Sequence, residues 1–598
     1  MKAMEVYNLK YSSVSPDHKF KSSDSFNSGI NLNSYLKYIS LVVMIKTILF
    51  FSIMLILSVN LLSQPVIEEW VRRYPDTVNG WGSGNAITVD NKGYVYVTGT
   101  IVISNLMKYG TIKYSESGTV MWARTYEGTN SGGRQSYAIA VDEKGNVFVT
   151  GYGYQTGNYF DFLTIKYDSL GNEKWVRFYD GGGHDIDQAT GIETDKAGNI
   201  YVSGYASLGG HHFIYCAVKY NSEGEELWVR HYGIPNSGTQ TYAMTIDENS
   251  NIYITGADSE KAATVSYDSS GNIRWFNRYP YVSTAHSIAV DNNHNTFITG
   301  EVMDTSIHGF DYLTIKYSPA GEQLWVRKYT YCNQWAVCDN YAHSVAVDKS
   351  GNVYVSGKSK NGQNHQISIC VIKYSNFGDT IWIRRYDNLA LGYMTCMAID
   401  SLNNVYITTG AADSILYNNI STYFTLRYDS LGSLIWIKRY YENPYEGSTS
   451  KCIAVDVSGN VFVSGLSSSP VIWHNEDMTT IRYSQPLYGI KKIGEIIPLS
   501  FKLYQNYPNP FNPITIIKFD ITSQPRTPKQ EVKLIIYDVL GREIETLVKQ
   551  QLNAGTYEVE WDGSNYTSGV YFYRLTTEDP SASSGLRYSE TKKMVIIK

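Results

Sequence analysis

The chain has 598 residues, too many for one ordinary compact domain, and 43% of them are hydrophobic, enough to fill large cores. Its 52 Tyr against 19 Phe, its 49 Gly and its charged content of only 18% describe a chain of short strands and tight turns. A formal net charge of −5 and a pI near 6.2 remove the electrostatic basis for nucleic-acid binding, which favours strongly basic faces.

Residues 1–43 are polar and unpatterned and read as a start called too early, with Met44 as the true first residue. Residues 44–64 have the layout of a secretory signal peptide. Lys46 supplies the positive start, Ile48 to Leu57 the apolar stretch, and Ser58, Asn60, Ser63 and Gln64 the small and polar exit. Ser52, Ser58 and Asn60 interrupt the roughly 20 apolar residues that a membrane anchor needs.

From residue 65 to 484 the chain is a repeat. The phrase VDNKGYVYVTG at 89–99 recurs as VDEKGNVFVTG at 141–151 and TDKAGNIYVSG at 194–204, and five further times up to 455–465. Its Asp falls at 90, 142, 195, 247, 291, 348, 400 and 456, a mean spacing of about 52 residues, close to the roughly 40–50 of propeller blades. A second phrase alternates with it: TIKYSESGTVMWARTY at 111–126, TIKYDSLGNEKWVRFY at 164–179, and so on to Tyr440. Each unit holds four β-type runs. D-x-x-G-N turns join the first to the second and the third to the fourth, because Asp bonds its own following backbone and Gly and Asn tolerate positive φ. Four antiparallel strands per unit predict a propeller blade. EEWVRRY at 68–74 is a fourth strand lacking its third, and TTIRYSQP at 479–486 is a third lacking its fourth. Together they predict a shared blade that closes the ring. Eight Trp, from Trp70 to Trp436, give one per blade and predict eight blades, with seven as the alternative.

These phrases resemble the SBBP class of bacterial β-propeller repeats, a class that implies a fold and no single activity. Within it each blade Trp reads as packing between blades. One Asp and one Asn per turn fall short of the six to eight oxygens that calcium takes, so the turns read as structural. YDSLGNEKW at 167–175 also resembles the D-x-x-G-x-x-x-W signature of eight-bladed quinoprotein dehydrogenases, which bind pyrroloquinoline quinone at the disc centre beside calcium and, in many members, an adjacent Cys pair. The chain has no adjacent Cys pair. The expectation is no cofactor, with calcium as the one ion in question and a quinone-dependent dehydrogenase, or another propeller enzyme, as the alternative.

Strand parity puts the constant turns on one face of the disc and all variation in length on the other. The variable loops are 152–160, 180–188, 205–213, 330–340 and 466–478. Variable loops on a rigid scaffold are where binding usually sits. Rich in Tyr, Trp, His and Asn, they suit an extracellular glycan or a protein, with Tyr154, His184, His211, Trp335 and Trp473 as candidate contacts. His184, Asp185 and Asp187 in one loop, and His211 with His212 in another, fall short of three or four convergent metal ligands and read as solvated polar loops. No G-x-S-x-G or H-E-x-x-H motif is present. No catalytic constellation is expected. Cys332 and Cys338 flank a short loop and could pair in an exported protein, while Cys216, Cys370, Cys396 and Cys452 fall at buried repeat positions.

After a linker at 485–500 the character changes. Alternating short strands with Gly turns over 501–598 predict a small Ig-like β-sandwich. Tyr507, Pro508, Asn509, Pro510 and Phe511 open it; Tyr537, Asp538, Gly541, Gly555, Tyr557, Trp561, Asp562, Gly569, Val570, Tyr571, Lys592, Lys593 and Met594 follow. This set resembles the type A C-terminal sorting domain of the type IX secretion system. The resemblance implies that the secretion machinery is a partner. It also implies passage through the outer membrane and removal of the domain with release or surface attachment. The reading of the whole is an all-β, monomeric, exported propeller that binds an extracellular polysaccharide or protein.

Overall fold

The computed structural model describes residues 66–597 except 75–79, 129–131, 156–158, 184, 210–211, 234–237, 305–308, 332–338, 361–366, 393–394, 414–420, 442–446, 469–475, 485–490, 495–496, 523–528, 564–565 and 579–585. The signal-peptide reading of 44–64 and the extension 1–43 therefore lie outside the described residues.

The repeat folds into eight blades. Blade one is Gly80–Val89, Val95–Ile103, Leu106–Tyr114 and Val120–Tyr126, paired in chain order and antiparallel. Blades two to six follow the same order, and the innermost strands of neighbouring blades touch in a closed circle. Blade eight takes Ser448–Val455, Val461–Ser468 and Glu476–Ser484 from the end of the repeat and Ile67–Tyr74 from its beginning. Trp70 lies opposite Arg482 and Val71 opposite Ile481, so the two orphan fragments share one sheet as the sequence predicts.

Blades six and seven depart from the pattern. The outer strand of blade six, Thr380–Gly392, runs on to pair with Val405–Asp413 of blade seven, whose own inner strand is only Cys396–Ile399. Blade seven is also where the repeated phrase carries one extra residue, ITTG for ITG, and the pairing with blade six lies just beyond it, at Ala411–Asp413.

Eight buried clusters hold the ring, one at each junction between blades. Each is keyed by the blade Trp. Trp122 lies against Tyr167 and Gly171 of the next blade, and its indole N–H donates to the Ser169 carbonyl at 3.2 Å. Two residues on, Arg124 Nε donates to the Gly171 carbonyl at 2.6 Å. Trp175 repeats the joint at Ser222 and Arg177 at Gly224, and Trp70 with Arg72 makes it from blade eight onto blade one. The strand-three Lys reaches the same carbonyl as the Trp: Lys113 at Ser169, Lys166 at Ser222 and Lys219 at Ser269. The receiving Gly has a φ of 81° at Gly171, and a Cβ there would fall 2.7 Å from the Trp122 ring. It is Gly both for its backbone and for the indole above it.

The Asp turns are closed as local chemistry predicts. Asp142 Oδ1 accepts from the Lys144 and Asn146 backbone N–H groups, and Oδ2 from the Asn146 amide. Asp195 and Asp247 also take a Tyr hydroxyl, from Tyr201 and Tyr253.

Lys491–Gly494, within the stretch read as a linker, and residues 502–596 form two four-stranded antiparallel sheets over one core that contains Phe511, Val559, Trp561, Tyr573 and Met594. The opening motif straps the edge strand Leu586–Ile596. Phe511 N–H donates to the Val595 carbonyl, and Asn509 Oδ1 accepts from Val595 N–H. Phe511 and Tyr571 are buried, whereas Tyr507 is 80% exposed. Gly541 takes a φ of 76° in the YDVLG turn, and Lys592 lies 3.0 Å from Glu590.

Two outcomes follow. Trp122→Ala removes a buried ring and is expected to cost about 3–5 kcal/mol, and Gly171→Ala about 1–3 kcal/mol, both read by urea unfolding; unchanged midpoints would remove the Trp-on-turn joint from the stabilising interactions. Deleting 66–74 leaves Glu476–Ser484 as a bare sheet edge, and the protein is expected to self-associate in light scattering.

Candidate functional site: the axial channel

Candidate residues that sequence reasoning missed sit on the innermost strands. Seven of these strands carry a bulge at the same place, and the extra residues are Asn85, Tyr137, Thr190, Tyr242, His286, His343 and Lys451. Thr395 takes the matching position in blade seven, just ahead of Cys396–Ile399. A bulge re-aims a side chain, and here it turns one residue per blade toward the axis.

The signal was in the repeat. The Gly closing V-x-V-x-G lies inside a strand, where Gly commonly marks a bulge or a close backbone approach. A Cβ at Gly151, Gly204 or Gly256 would fall 2.0, 2.1 and 2.0 Å from the carbonyls of Gln135, Gln188 and Gln240.

The belt residues touch from blade to blade. Asn85 Nδ2 donates to the Ser136 carbonyl of blade two at 2.9 Å. The rings of Tyr242 and His286 are 5.0 Å apart and those of His286 and His343 6.0 Å. The Thr395 N–H donates to His343 Nδ1 at 3.3 Å, and Lys451 Nζ to Asn85 Oδ1 at 3.2 Å, which completes the turn from blade eight to blade one.

Beside the belt, toward the variable face, runs a tier of cross-strand pairs. In blade two Tyr152 donates its hydroxyl to Gln135 Oε1 at 3.1 Å, and in blade three Tyr205 donates to Gln188 Oε1 at 3.0 Å. Blade four has Ala257 where these carry Tyr, and Tyr242 of the belt donates to Gln240 Oε1 instead. In blade five Glu301 Oε2 lies 2.6 Å from His286 Nε2. In blade six Lys358 lies over the Tyr341 ring at 4.9 Å. Blades two to four therefore present Tyr and Gln, and blades five and six His, Glu and Lys.

Burial pushes up the pKa values of Tyr137, Tyr152, Tyr205 and Tyr242, which stay neutral phenols. His343 is driven down to about 3, first by burial and then by His286 and Lys358, so it stays a neutral imidazole. Among the described residues no hydroxyl or thiol hydrogen-bonds to either nitrogen of His286.

Of the residues expected in variable loops, Tyr154 is described. It joins a radial row of rings with Phe160, Tyr152 and Tyr137 at 6.0, 4.9 and 5.9 Å, which leads from the loop to the channel. His184, His211, Trp335 and Trp473 lie outside the described residues, as do Cys332 and Cys338. The other four Cys are free; Cys216, Cys370 and Cys452 are buried and Cys396 is partly so. The loop at 180–188 gains a partner that its own sequence does not show: carboxylate oxygens of Asp161, Asp180 and Asp187 lie within 4.8 Å of one another. Burial, with Asp180 and Asp161 adding, raises Asp187 to about 7. Its oxygens accept from Gly181 N–H and Ser207 N–H, which pins this loop to blade three. Three carboxylates fall short of calcium's usual six to eight oxygens.

Residues 505–596 match the secretion system C-terminal sorting domain family. The chain ends in a type IX sorting domain. It is thereby marked for type IX-dependent secretion, with cell-surface attachment or release. Residues 227–257 and 339–362 match the beta-propeller repeat family, SBBP, so the protein is a secreted or surface propeller of SBBP repeats. An uncharacterized WD repeat-containing protein of Acanthamoeba polyphaga mimivirus is 22% identical over 462 residues, covering 63% of this chain. The match spans 32% of that relative's length. Among solved structures, Sqt1 of Chaetomium thermophilum aligns over 70% of this chain and 98% of its own at 8% identity and a TM-score of 0.43. A protein of unknown function from Bacteroides caccae aligns over 51% and 97% at 14% identity and a TM-score of 0.29.

His343 gives the site a pH signature. Its folded pKa lies below the unfolded one, so the unfolded chain takes up the proton first. Stability then falls as pH drops from about 6.5 toward about 3. His343→Gln is expected to flatten that slope relative to the parent by on the order of 4 kcal/mol over the window, measured by urea unfolding at stepped pH; parallel curves would show that His343 titrates normally.

Proposed function

We propose that the exported propeller is an extracellular binding module, and that its ligand, a polysaccharide or a protein, is taken at the variable-face mouth of the axial channel. The observation that carries this is the belt: eight aligned positions turn Tyr, His, Thr, Asn and Lys onto the axis. A binding role needs aromatic faces and fixed polar groups, and it needs no convergent nucleophile, acid and base. The D-x-x-G-x-x-x-W signature supports the same reading. Asp168 Oδ1 accepts from Leu170 and Asn172 N–H, and Gly171 lies under Trp122, so its Asp, Gly and Trp serve turns and blade joints.

The test is binding of the full chain to a glycan array and to immobilised extracellular proteins, with Tyr205→Ala and Tyr242→Ala alongside. Stacking on an aromatic contributes on the order of 1 kcal/mol, so each variant is expected to lose affinity several-fold while its unfolding midpoint holds. Retention of nothing by the parent sinks the reading. Turnover of alcohols or sugars after reconstitution with quinone and calcium replaces it with an enzyme.

A further inference from the structure

The channel mouth is polarised, and the polarity specifies a ligand. On blades two, three and four the Oε1 atoms of Gln135, Gln188 and Gln240 each accept a Tyr hydroxyl. That bond fixes the amide orientation and leaves Nε2, a pure donor, as the end each Gln presents. Three donors on successive blades seek a ligand rich in acceptors. Between them stand the rings of Tyr137, Tyr152, Tyr205 and Tyr242, with Tyr242 38% exposed. An aromatic face is electronegative and apolar, and it complements the polarised C–H face of a pyranose ring.

Across the mouth stand two cations. Lys358 lies over Tyr341, and among the described residues no carboxylate pairs with it. Lys451 donates to the neutral Asn85 amide, and it too has no carboxylate within ion-pair distance among the described residues. The residue as a whole is exposed, yet its amine is withdrawn far enough from water that burial lowers its pKa. The one acid in the tier, Glu301, is already engaged by His286. Glu476 acts on Lys451 only from beyond contact, so among the described residues neither ammonium group has a contact ion pair. Unpaired ammonium groups in a partly desolvated site favour an anion that brings acceptor oxygens.

We propose that the mouth binds an acidic saccharide, its carboxylate at Lys358 and Lys451 and its ring faces on the Tyr residues, with hydroxyl oxygens accepting from the Gln amides. This rests on the binding reading above and deepens it by naming the ligand class. An acidic peptide shares the carboxylate but lacks the pyranose face that the four Tyr match, so the saccharide is the better fit.

The experiment titrates the full chain calorimetrically with three probes: a trimer of galacturonate, the same trimer fully methyl-esterified, and a tri-glutamate peptide. A charge-assisted hydrogen bond contributes enough to change affinity about tenfold or more. The acid trimer is expected to bind about tenfold tighter than the ester, and to weaken as salt rises. Lys358→Met and Lys451→Met should each erase most of that preference without weakening the ester, and Lys451→Arg should keep it. Gln188→Ala should lower acid and ester alike. Equal affinity for acid and ester, or lysine variants with unchanged preference, overturns the proposal. Tri-glutamate bound as tightly as the uronate overturns the saccharide assignment. A neutral glycan or protein retained by the parent while these probes fail sinks this inference alone; no ligand of any kind sinks the binding reading with it.

Discussion

The propeller depends on one contact repeated around most of the ring: an indole laid on a left-handed glycine turn of the next blade, with its N–H bonded at six junctions to the carbonyl two residues earlier. A four-stranded blade has two apolar faces and cannot bury either alone. The Trp supplies area, its N–H supplies direction, and the Arg two residues on fixes a second carbonyl of the same turn. Because acceptor and glycine belong to a hairpin turn, the joint reads backbone geometry and tolerates varied side chains in the loops. The variable face is free to differ from blade to blade because the constant face is not.

The bulge is the second constraint, and it makes the axis chemically usable. An inner strand in plain register would lay its side chains between neighbouring blades. One extra residue on seven of the eight inner strands, made room for by a glycine on the partner, and Thr395 at the matching place in blade seven, give each blade a position on the belt. Asn, Tyr, Thr, Tyr, His, His, Thr and Lys occupy these eight positions in turn. A core position would not accept that range, and a site would.

The blades, their number and the shared closing sheet were legible because each rests on a period or on a turn whose residues have only one common use. The Trp joints were legible in kind but not in partner. Blade four shows why. There Ser266 replaces the strand-three Lys, and Arg274 of the neighbouring strand reaches the Pro319 carbonyl in its place, while Asn277 stands in for Arg and donates to the Gly321 carbonyl. Such substitutions compensate across strands, and a linear pattern does not show who compensates for whom. The channel belt was missed for a related reason: Tyr137 and His286 look like any other strand residue until the register slips by one beside them. The Asp161, Asp180 and Asp187 cluster was half visible, since two of its members share a loop and the third comes from a strand 19 positions before Asp180.

The shared closing sheet also sets an order in time. Ser484 and Glu69, which meet in it, are 415 positions apart, a contact of the kind that folds slowly because a long loop must close first. Until Glu476–Ser484 has been made, Ile67–Tyr74 has no sheet to join and blade one has no Trp on its turn. The sorting domain lies immediately beyond that closing strand in the chain. A polypeptide that can display a finished address has therefore already been given every strand its ring requires, so transport keyed to the C-terminus selects for chains long enough to close.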